Sequence, residues 1–240
     1  MPRRSRRSRR SWGGRGIYVE YFGVKLIQKK YSFELKKDEF APINTKPSLP
    51  WSAELARRNA YTDESTPTVY GYRIEWCEKY RELCLKNYDL NMAYFDSLDG
   101  EEFNLALQNF LHRYRKFQEV RNLQDYDGIE GYYLLILDRY KQAYIGKTFN
   151  IKRRILQHWS KVKDFDRTLL PMYAVKKSCF SIDFFRALDT TRIFAWKKEW
   201  NFTTESRLIR AFPKKFLTNR IGGDAESNPL QALSINRRKL

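Results

Sequence analysis

The sequence feature that most constrains the fold is a pair of neighbouring apolar segments with three residues between them. Residues 131–137 read GYYLLIL, and residues 141–146 read KQAYIG. A short apolar run rich in aromatic and aliphatic residues is typical of a buried strand. Because residues 138–140 leave room only for a tight turn, the two segments predict an antiparallel β-hairpin.

The segments that follow predict a compact α/β unit. Residues 150–161 have apolar residues at helical spacing and begin with Asn150, a residue favoured at helix N-caps. Residues 191–196 predict another strand, and residues 203–214 predict a helix that begins at a threonine cap. The resulting order β-β-α-β-α indicates an α/β (α+β) domain over residues 128–224.

Residues 17–125 predict an accessory α+β region whose fold the sequence patterns do not identify. Residues 17–35 are rich in β-branched and aromatic residues, which is typical of one or two strands. Residues 42–67 hold four of the chain's eight prolines and predict a long irregular connection. Apolar residues then recur at helical spacing over residues 72–87 and 100–124, which predicts two helices.

The charge of the chain predicts a polyanionic partner. The 240 residues include 46 Lys and Arg against 28 Asp and Glu, a formal net charge of +18. This surplus is typical of proteins that bind nucleic acid, and it does not distinguish DNA from RNA. Residues 1–16 contain no acid, and we expect a disordered arm that binds phosphate backbones; the simpler alternative is a solvated tail. The arginines of the arm are Arg3, Arg4, Arg6, Arg7, Arg9, Arg10 and Arg15. Residues 225–240 predict a basic C-terminal tail.

Cysteine usage and hydropathy constrain the location of the chain. Cys77, Cys84 and Cys179 form no CxxC pair and predict no disulfide framework. We therefore expect a reducing compartment, the cytoplasm or nucleoid, or the nucleus if the host is a eukaryote. The apolar runs are far shorter than the ~18 residues that a membrane helix requires, so we expect no membrane partner. The oligomeric state stays open.

Two tripeptides in the predicted hairpin, together with polar residues downstream, carry a family resemblance. The tripeptides are Gly131-Tyr132-Tyr133 and Tyr144-Ile145-Gly146, with ten residues between them. The polar residues that follow in order are Arg154, His158, Glu205 and Asn219. Over about residues 128–224, this set resembles the GIY-YIG nuclease family.

The first tripeptide departs from the family pattern at its middle residue, where Tyr132 replaces an isoleucine. Successive side chains of a strand point to opposite faces of the sheet. We therefore expect Tyr132 to pack in the core on the face opposite Tyr133, which leaves the active face intact.

The resemblance implies a fold, a reaction and a cofactor. The fold is a small central antiparallel sheet flanked by helices, and the reaction is metal-dependent endonucleolytic cleavage of DNA phosphodiester bonds. Glu205 matches the carboxylate that holds a single magnesium or manganese ion. Tyr133 and Tyr144 match active-site positions, with Tyr144 as the expected base and Tyr133 as a partner that positions water or phosphate.

The other residues of the resemblance have expected supporting roles. Lys147, Arg154 and the metal are expected to lower the pKa of the tyrosines, since nearby cations favour a phenolate. Arg154 is expected to clamp the scissile phosphate with its planar guanidinium. His158, one helical turn later, is expected to shuttle a proton or bind phosphate. Gly146 and Asn219 are expected to support the site.

Each assignment also has a simpler alternative. The two tyrosines are then core aromatics, and Arg153 is the functional arginine in place of Arg154. His158 becomes a capping or surface residue, and Glu205 only stabilises the N-terminus of its helix. Asn219 becomes a turn residue before the glycines at 222 and 223. For the whole chain, the alternative is a catalytically inactive protein of the same fold that binds DNA or RNA.

Overall fold

The computed structural model describes residues 17–28, 32–49, 52–62, 71–199 and 201–219, without the side chain of Phe202. The predicted arm and the predicted C-terminal tail lie outside these residues. The helices are α1 (Ala53–Arg57), α2 (Ile74–Ser97), α3 (Gly100–Arg113), α4 (Ile151–Ser160) and α5 (Phe202–Ala211). The strands are β1 (Tyr18–Tyr21), β2 (Val24–Ile27), β3 (Gln118–Glu119), β4 (Gly131–Leu137), β5 (Gln142–Thr148) and β6 (Arg192–Lys197). None of the described helices is both long enough and apolar enough to cross a membrane.

The strands form two antiparallel sheets, and the predicted mixed α/β class is confirmed. Strands β1 and β2 form a two-stranded hairpin, whereas the central sheet has four strands in the order β3-β6-β4-β5. The predicted hairpin is confirmed as β4 and β5, which pair from Gly131↔Thr148 to Leu137↔Gln142. The turn between them ends at Lys141, which has a left-handed backbone conformation with a φ of +49°.

Both faces of the central sheet are covered, because every residue of β4 is buried. On one face, Tyr133 and Leu135 belong to a core that includes the apolar side of α4, with Ile155 and Trp159. The other face packs against α3 and α5: Tyr132, Leu134, Ile136, Phe103 and Leu208 share its core. Tyr132 is fully buried on the face opposite Tyr133, as predicted from strand alternation.

The packing does not break at the predicted domain boundary near residues 125–128. Strand β3, which precedes that boundary, pairs with β6 beyond it. The rings of Phe103 and Phe216 lie 5.3 Å apart, and those of Tyr80 and Phe165 lie 5.2 Å apart. The Tyr72 hydroxyl donates a 2.8 Å hydrogen bond to Asp166. Residues from both predicted regions therefore build both cores.

The helix predicted over residues 72–87 runs from Ile74 to Ser97, and two other predicted helix limits are wrong for identifiable reasons. The helix predicted over residues 100–124 ends at Arg113, because Phe117 packs on Trp196 with ring centroids 5.9 Å apart, and the Val120 amide donates to the Ile193 carbonyl of β6. The continuing apolar spacing therefore belongs to sheet packing. The last helix is capped by Asn201, not by a threonine, since the Asn201 side chain accepts a 2.9 Å hydrogen bond from the Thr204 amide.

Candidate functional site

The two glycines of the tripeptides permit close approaches that a side chain would block. A Cβ at Gly146 would lie 2.5 Å from Cζ and 2.9 Å from Cε1 of the Tyr133 ring. A Cβ at Gly131 would collide with the Trp196 carbonyl group of the neighbouring strand. Gly146 therefore lets the Tyr133 ring lie flat across β5, directly opposite its register partner.

A buried chain of hydrogen bonds begins at Tyr133. The Tyr133 hydroxyl lies 2.8 Å from Nε2 of His158, and Nδ1 of the same ring lies 2.8 Å from Oδ1 of Asp183. Tyr133 has no exposed surface, and His158 is 2% exposed. Strand β4, helix α4 and the loop before β6 thus each supply one member of this chain.

The ionisation of the chain fixes the direction of its hydrogen bonds. Burial lowers the pKa of His158 below its ordinary value, although Asp183 opposes this change. Burial alone would raise the pKa of Asp183, but the hydrogen bond and charge of His158, with Lys161 and Lys163 nearby, lower it to about 2. A neutral imidazole that donates Nδ1–H to an ionised Asp183 has Nε2 as its acceptor. Tyr133 therefore donates its hydroxyl proton to His158.

Tyr144 lies beside the hydrogen-bonded residues Tyr133 and His158 and is half-buried. Its ring centroid is 5.1 Å from that of His158 and 6.1 Å from that of Tyr133. Burial raises the pKa of Tyr144 to about 12, although the charge of Arg154 and a hydrogen bond with Tyr133 oppose this rise. Arg154 lowers the pKa of Tyr144 as expected, but the expected net decrease does not occur, because lost hydration of the phenolate outweighs the attraction of Arg154.

The burial of Tyr133 and His158 limits the roles that these two residues can take. Burial raises the pKa of Tyr133 well above its ordinary value, and its hydroxyl contacts His158 inside the protein. Tyr133 therefore acts through other side chains and does not itself reach a water or phosphate at the surface. The alternative of a surface role for His158 is wrong, since the ring is buried and hydrogen-bonded through both nitrogens.

Lys147 and Glu205 form an ion pair on the other face of the sheet. The Lys147 ammonium lies 3.3 Å from Oε2 of Glu205, and both side chains are less than one-fifth exposed. Lys147 pairs in register with Tyr132 and so points away from Tyr133. Together with burial, the negative charge of Glu205 raises the pKa of Tyr144. The ion pair therefore interacts electrostatically with the tyrosines across β5, the end strand of the sheet.

Tyr132 fixes the helix that carries Glu205. Its hydroxyl accepts a 2.9 Å hydrogen bond from the Asn201 amide and donates to the Asn201 carbonyl at 3.3 Å. Asn201 is in turn the N-cap of α5, and Glu205 lies in the first turn of that helix. Tyr132 thus ties the first tripeptide to the helix that carries Glu205.

Asn219 supports the backbone of the second tripeptide. Its side-chain oxygen accepts from the Ile145 amide at 3.1 Å, and its side-chain nitrogen donates to the Ile145 carbonyl at 2.7 Å. This pair of bonds satisfies the open edge of β5 between Tyr144 and Gly146. Asn219 therefore contacts main chain and none of the ring hydroxyls in its hydrogen bonds.

A basic hollow of about 400 Å³ opens beside these groups. It is lined by Lys147, Thr148, Phe149, Asn150, Arg153, Arg154 and Gln157. Arg153 is exposed, whereas Arg154 is half-buried, and its positive charge lowers the pKa of Tyr133 against the larger effect of burial. Arg154 thus lines the hollow and acts by its charge on Tyr133, Tyr144 and His158, while Arg153 is an exposed residue of the hollow.

Sequence reasoning missed Asp183. The residue lies 25 positions after His158, inside the short 3₁₀ turn Ile182–Phe184, which no periodic pattern predicts. No motif spacing pairs an acid in such a turn with a histidine on a helix. The contact is visible only in the folded structure, where Asp183 lies beside the buried His158.

These groups form two linked clusters around β5, one with a histidine-carboxylate pair and one with a lysine-carboxylate pair. No protein-family model, curated protein or solved structure matches this chain. The functional interpretation therefore depends on the geometry and ionisation of the clusters themselves.

Proposed function

We propose that the chain is a metal-dependent endonuclease that hydrolyses DNA phosphodiester bonds in the cytoplasm, nucleoid or nucleus. Such a reaction requires an activated water, cations that stabilise the negative charge of the developing phosphorane, and a group that accepts a proton. The observation that carries the proposal is the convergence of Tyr144, Arg154 and the Lys147–Glu205 pair around strand β5. Together they supply a phenol, two cations and a carboxylate at one edge of the sheet.

Arg154 binds the scissile phosphate in this proposal. The guanidinium lines the basic hollow, where it donates a 3.4 Å hydrogen bond to Gln157, and its charge acts on the Tyr133 and Tyr144 hydroxyls. A half-buried guanidinium forms stronger bonds to phosphate than one in bulk water, because the local dielectric is lower. Lys147, at the rim of the same hollow, adds a second positive charge.

Glu205 fits the expected divalent ion by donor type. Magnesium prefers carboxylate oxygens and keeps most of its waters, so one carboxylate with substrate phosphate is sufficient. When bound, the ion supplies Lewis-acid stabilisation of a phosphoryl oxygen. Lys147 holds the carboxylate in place, since its ammonium lies 3.3 Å from Oε2. Tyr132 and Asn201 fix the helix on which Glu205 stands.

The hydrogen-bonded chain resolves a difficulty with tyrosine as a base. A pKa of about 12 means that Tyr144 keeps its proton at neutral pH. We assign His158 as the final proton acceptor, reached from Tyr144 through the hydroxyl of Tyr133. As Tyr144 takes a proton from water, it passes its own proton to Tyr133, which passes its proton to Nε2 of His158. Asp183, ionised at 2.8 Å, stabilises the imidazolium that forms.

The experiment that tests the proposal is cleavage of supercoiled plasmid with magnesium or with a chelator. We expect magnesium-dependent nicking by the full chain and its loss in Arg154→Ala and Glu205→Gln. Lys86→Ala, which removes an exposed cation on α2, is the matched control and keeps the activity. Nicking that survives both active-site substitutions would contradict the residue assignment.

The alternative function is nucleic-acid binding without catalysis. It is favoured by one observation, that Tyr133 is wholly buried and both tyrosines have raised pKa values, as core aromatics do. The ionised Asp183 and the buried ion pair of Glu205 favour catalysis, since binding requires neither. The absence of cleavage on duplex, branched and single-stranded DNA, and on RNA, together with retained binding, would favour this alternative.

A further inference from the structure

Helix α5 has an exposed, basic face opposite Glu205. Thr203, Arg207 and Arg210 are exposed, whereas residues 204–206 and 208–209 are buried. At 100° per residue, the three exposed positions lie within about 60° of one another, and Glu205 lies on the far side of the helix. The exposed face is therefore a surface separate from the clusters around β5.

This face borders a hollow of about 420 Å³ between α5 and the end of α3. We name it the arginine hollow, and its lining residues are Arg113, Tyr114, Thr203, Arg207, Arg210 and Ala211. The Arg113 guanidinium lies over the Tyr114 ring, 5.6 Å from its centroid. The Tyr114 ring is in turn held by Phe110, with centroids 4.8 Å apart. A ring fixed by core packing thus forms one wall of the hollow.

The charges of the arginine hollow are uncompensated by acids. Among the residues that the structure describes, no carboxylate lines the hollow, and none of its three guanidinium groups forms an ion pair. Elsewhere on the described surface, cations such as Lys37 and Lys215 pair with Asp89 and Glu102. Three like charges that converge without a partner repel one another, which a polyanionic ligand relieves.

Helix capping accounts for only part of this arrangement. Arg113 and Arg210 lie in the last turns of α3 and α5, where a cation interacts favourably with the helix dipole. Arg210 also donates a 3.2 Å hydrogen bond from Nε to the Ser206 carbonyl. Arg207 lies in mid-helix with no such role, and the dipole does not explain why the three side chains surround one concavity.

We propose that the arginine hollow is a second binding site for the phosphodiester backbone of the nucleic-acid substrate. Planar guanidinium groups suit phosphate oxygens, and a fixed tyrosine ring beside them offers a stacking surface for a base. The hollow and Glu205 lie on opposite sides of α5, so a strand that contacts both sites must pass around this helix. This inference deepens the proposed nuclease function by adding a substrate contact.

The test measures binding of the full chain to a labelled 20-bp DNA duplex and its single strand by fluorescence anisotropy. A chelator prevents cleavage, and the salt concentration is varied. The test variant is Arg113→Gln/Arg207→Gln/Arg210→Gln. The control, Arg57→Gln/Lys86→Gln/Lys176→Gln, removes three exposed cations from other surfaces and has the same net charge. A third variant replaces the three arginines of the hollow with lysine and shows whether a loss follows charge or misfolding.

We expect the test variant to bind at least tenfold more weakly than the control. Its slope of log affinity against log salt should be flatter by between two and three units, since each neutralised phosphate contributes about 0.9. The lysine variant should keep the slope of the unmodified chain. Equal affinity and slope in the test and control variants would overturn the inference, as would a lysine variant that loses the slope.

Cleavage of plasmid by the same proteins separates this inference from the proposed function. Hollow-dependent binding without any magnesium-dependent cleavage would overturn the nuclease proposal and keep the binding site. Magnesium-dependent cleavage by the unmodified chain, with equal binding by the test and control variants, would keep the nuclease proposal and overturn the binding site.

Discussion

The two faces of the central sheet use the same strands for different chemistry. On the α4 face, a chain of hydrogen bonds from Tyr133 through His158 to Asp183 crosses a core that also holds other buried polar groups, such as Asp189 and Thr190. On the α3 and α5 face, the core is apolar and its polar contacts lie at the edges, where Tyr132 meets Asn201 and Lys147 meets Glu205. Adjacent tyrosines of β4 therefore take opposite roles.

The difference shows how one strand can serve two purposes. Strand alternation sends Tyr133 toward a histidine and Tyr132 toward a helix cap, within a single residue of sequence. In our account, the α4 face moves a proton and the α5 face positions the carboxylate that suits a metal. The substitutions below act on one face at a time, in order of decreasing expected effect.

The largest effect is expected on the α4 face, from Tyr144→Phe. This change removes only the hydroxyl that takes a proton from water, and general-base catalysis contributes about 10²–10⁴-fold. We expect plasmid cleavage to fall about 10³-fold, measured under single-turnover conditions, with binding of DNA unchanged. Tyr18→Phe, at an exposed tyrosine of β1, is the matched control. A Tyr144→Phe protein that cleaves at an unchanged rate would remove this residue from the mechanism.

The next effect is expected from Asp183→Asn, at the end of the buried chain. The amide cannot stabilise an imidazolium, so we expect the maximal cleavage rate to fall about 10²-fold. In the unmodified chain the relay requires neutral His158, whose pKa lies below 6.5, so the rate should rise with pH below that value and be constant above it. Loss of Asp183 removes a group that raises the pKa of His158, and the acid limb should move to lower pH. An unchanged pH profile would contradict the relay.

A smaller effect, on stability, is expected from Gly146→Ala, because the Tyr133 ring packs directly against this glycine. The new Cβ would lie 2.5 Å from Cζ of that ring, so the ring or β5 must shift. Overpacking of this kind costs about 1–3 kcal/mol, which denaturant unfolding measures. Gly100→Ala is the control, because a Cβ there meets nothing within 4 Å. Equal stability of the two variants would show that the ring has more space than the structure indicates.

The smallest effect is expected on the α5 face, from Tyr132→Phe. This change deletes the hydroxyl that contacts Asn201 and leaves the ring in the core. We expect a loss of about 1 kcal/mol in the free energy of unfolding, typical of one hydrogen bond. Cleavage should fall only a few-fold, since Glu205 stays in place on a less firmly held helix. A loss of activity as large as that of Tyr144→Phe would show that the faces do not divide the work as described.

Local patterns predict the elements of this fold better than they predict the contacts between elements. The hairpin of β4 and β5 and the burial of Tyr132 follow from strand alternation, and α4 follows from helical spacing and its Asn150 cap. The shared cores were not predicted, because they depend on packing between residues far apart in sequence, such as Phe103 and Phe216.

The same distinction applies to the candidate site. Tyr144, Arg154 and Glu205 are candidates because of the family resemblance, and Lys147 because it follows the second tripeptide, whereas Asp183 belongs to no motif. The direction of the tyrosine pKa shift was wrong, because burial depends on the whole core around Tyr133 and cannot be judged from neighbouring charges alone. The resemblance proposes the residues of the candidate site, while their protonation depends on tertiary packing.

The central claim is that both faces serve one reaction, and a double-mutant cycle between Arg154→Ala and Glu205→Gln tests it most directly. The measured quantity is the single-turnover rate of magnesium-dependent plasmid cleavage by the unmodified chain, each single variant and the double variant. Groups that act together in one transition state have strongly non-additive effects. If each substitution lowers the rate about 10³-fold, we predict that the double variant is about as slow as either single variant. A double variant slowed by the product of the two effects, or cleavage that neither substitution changes, would contradict the account.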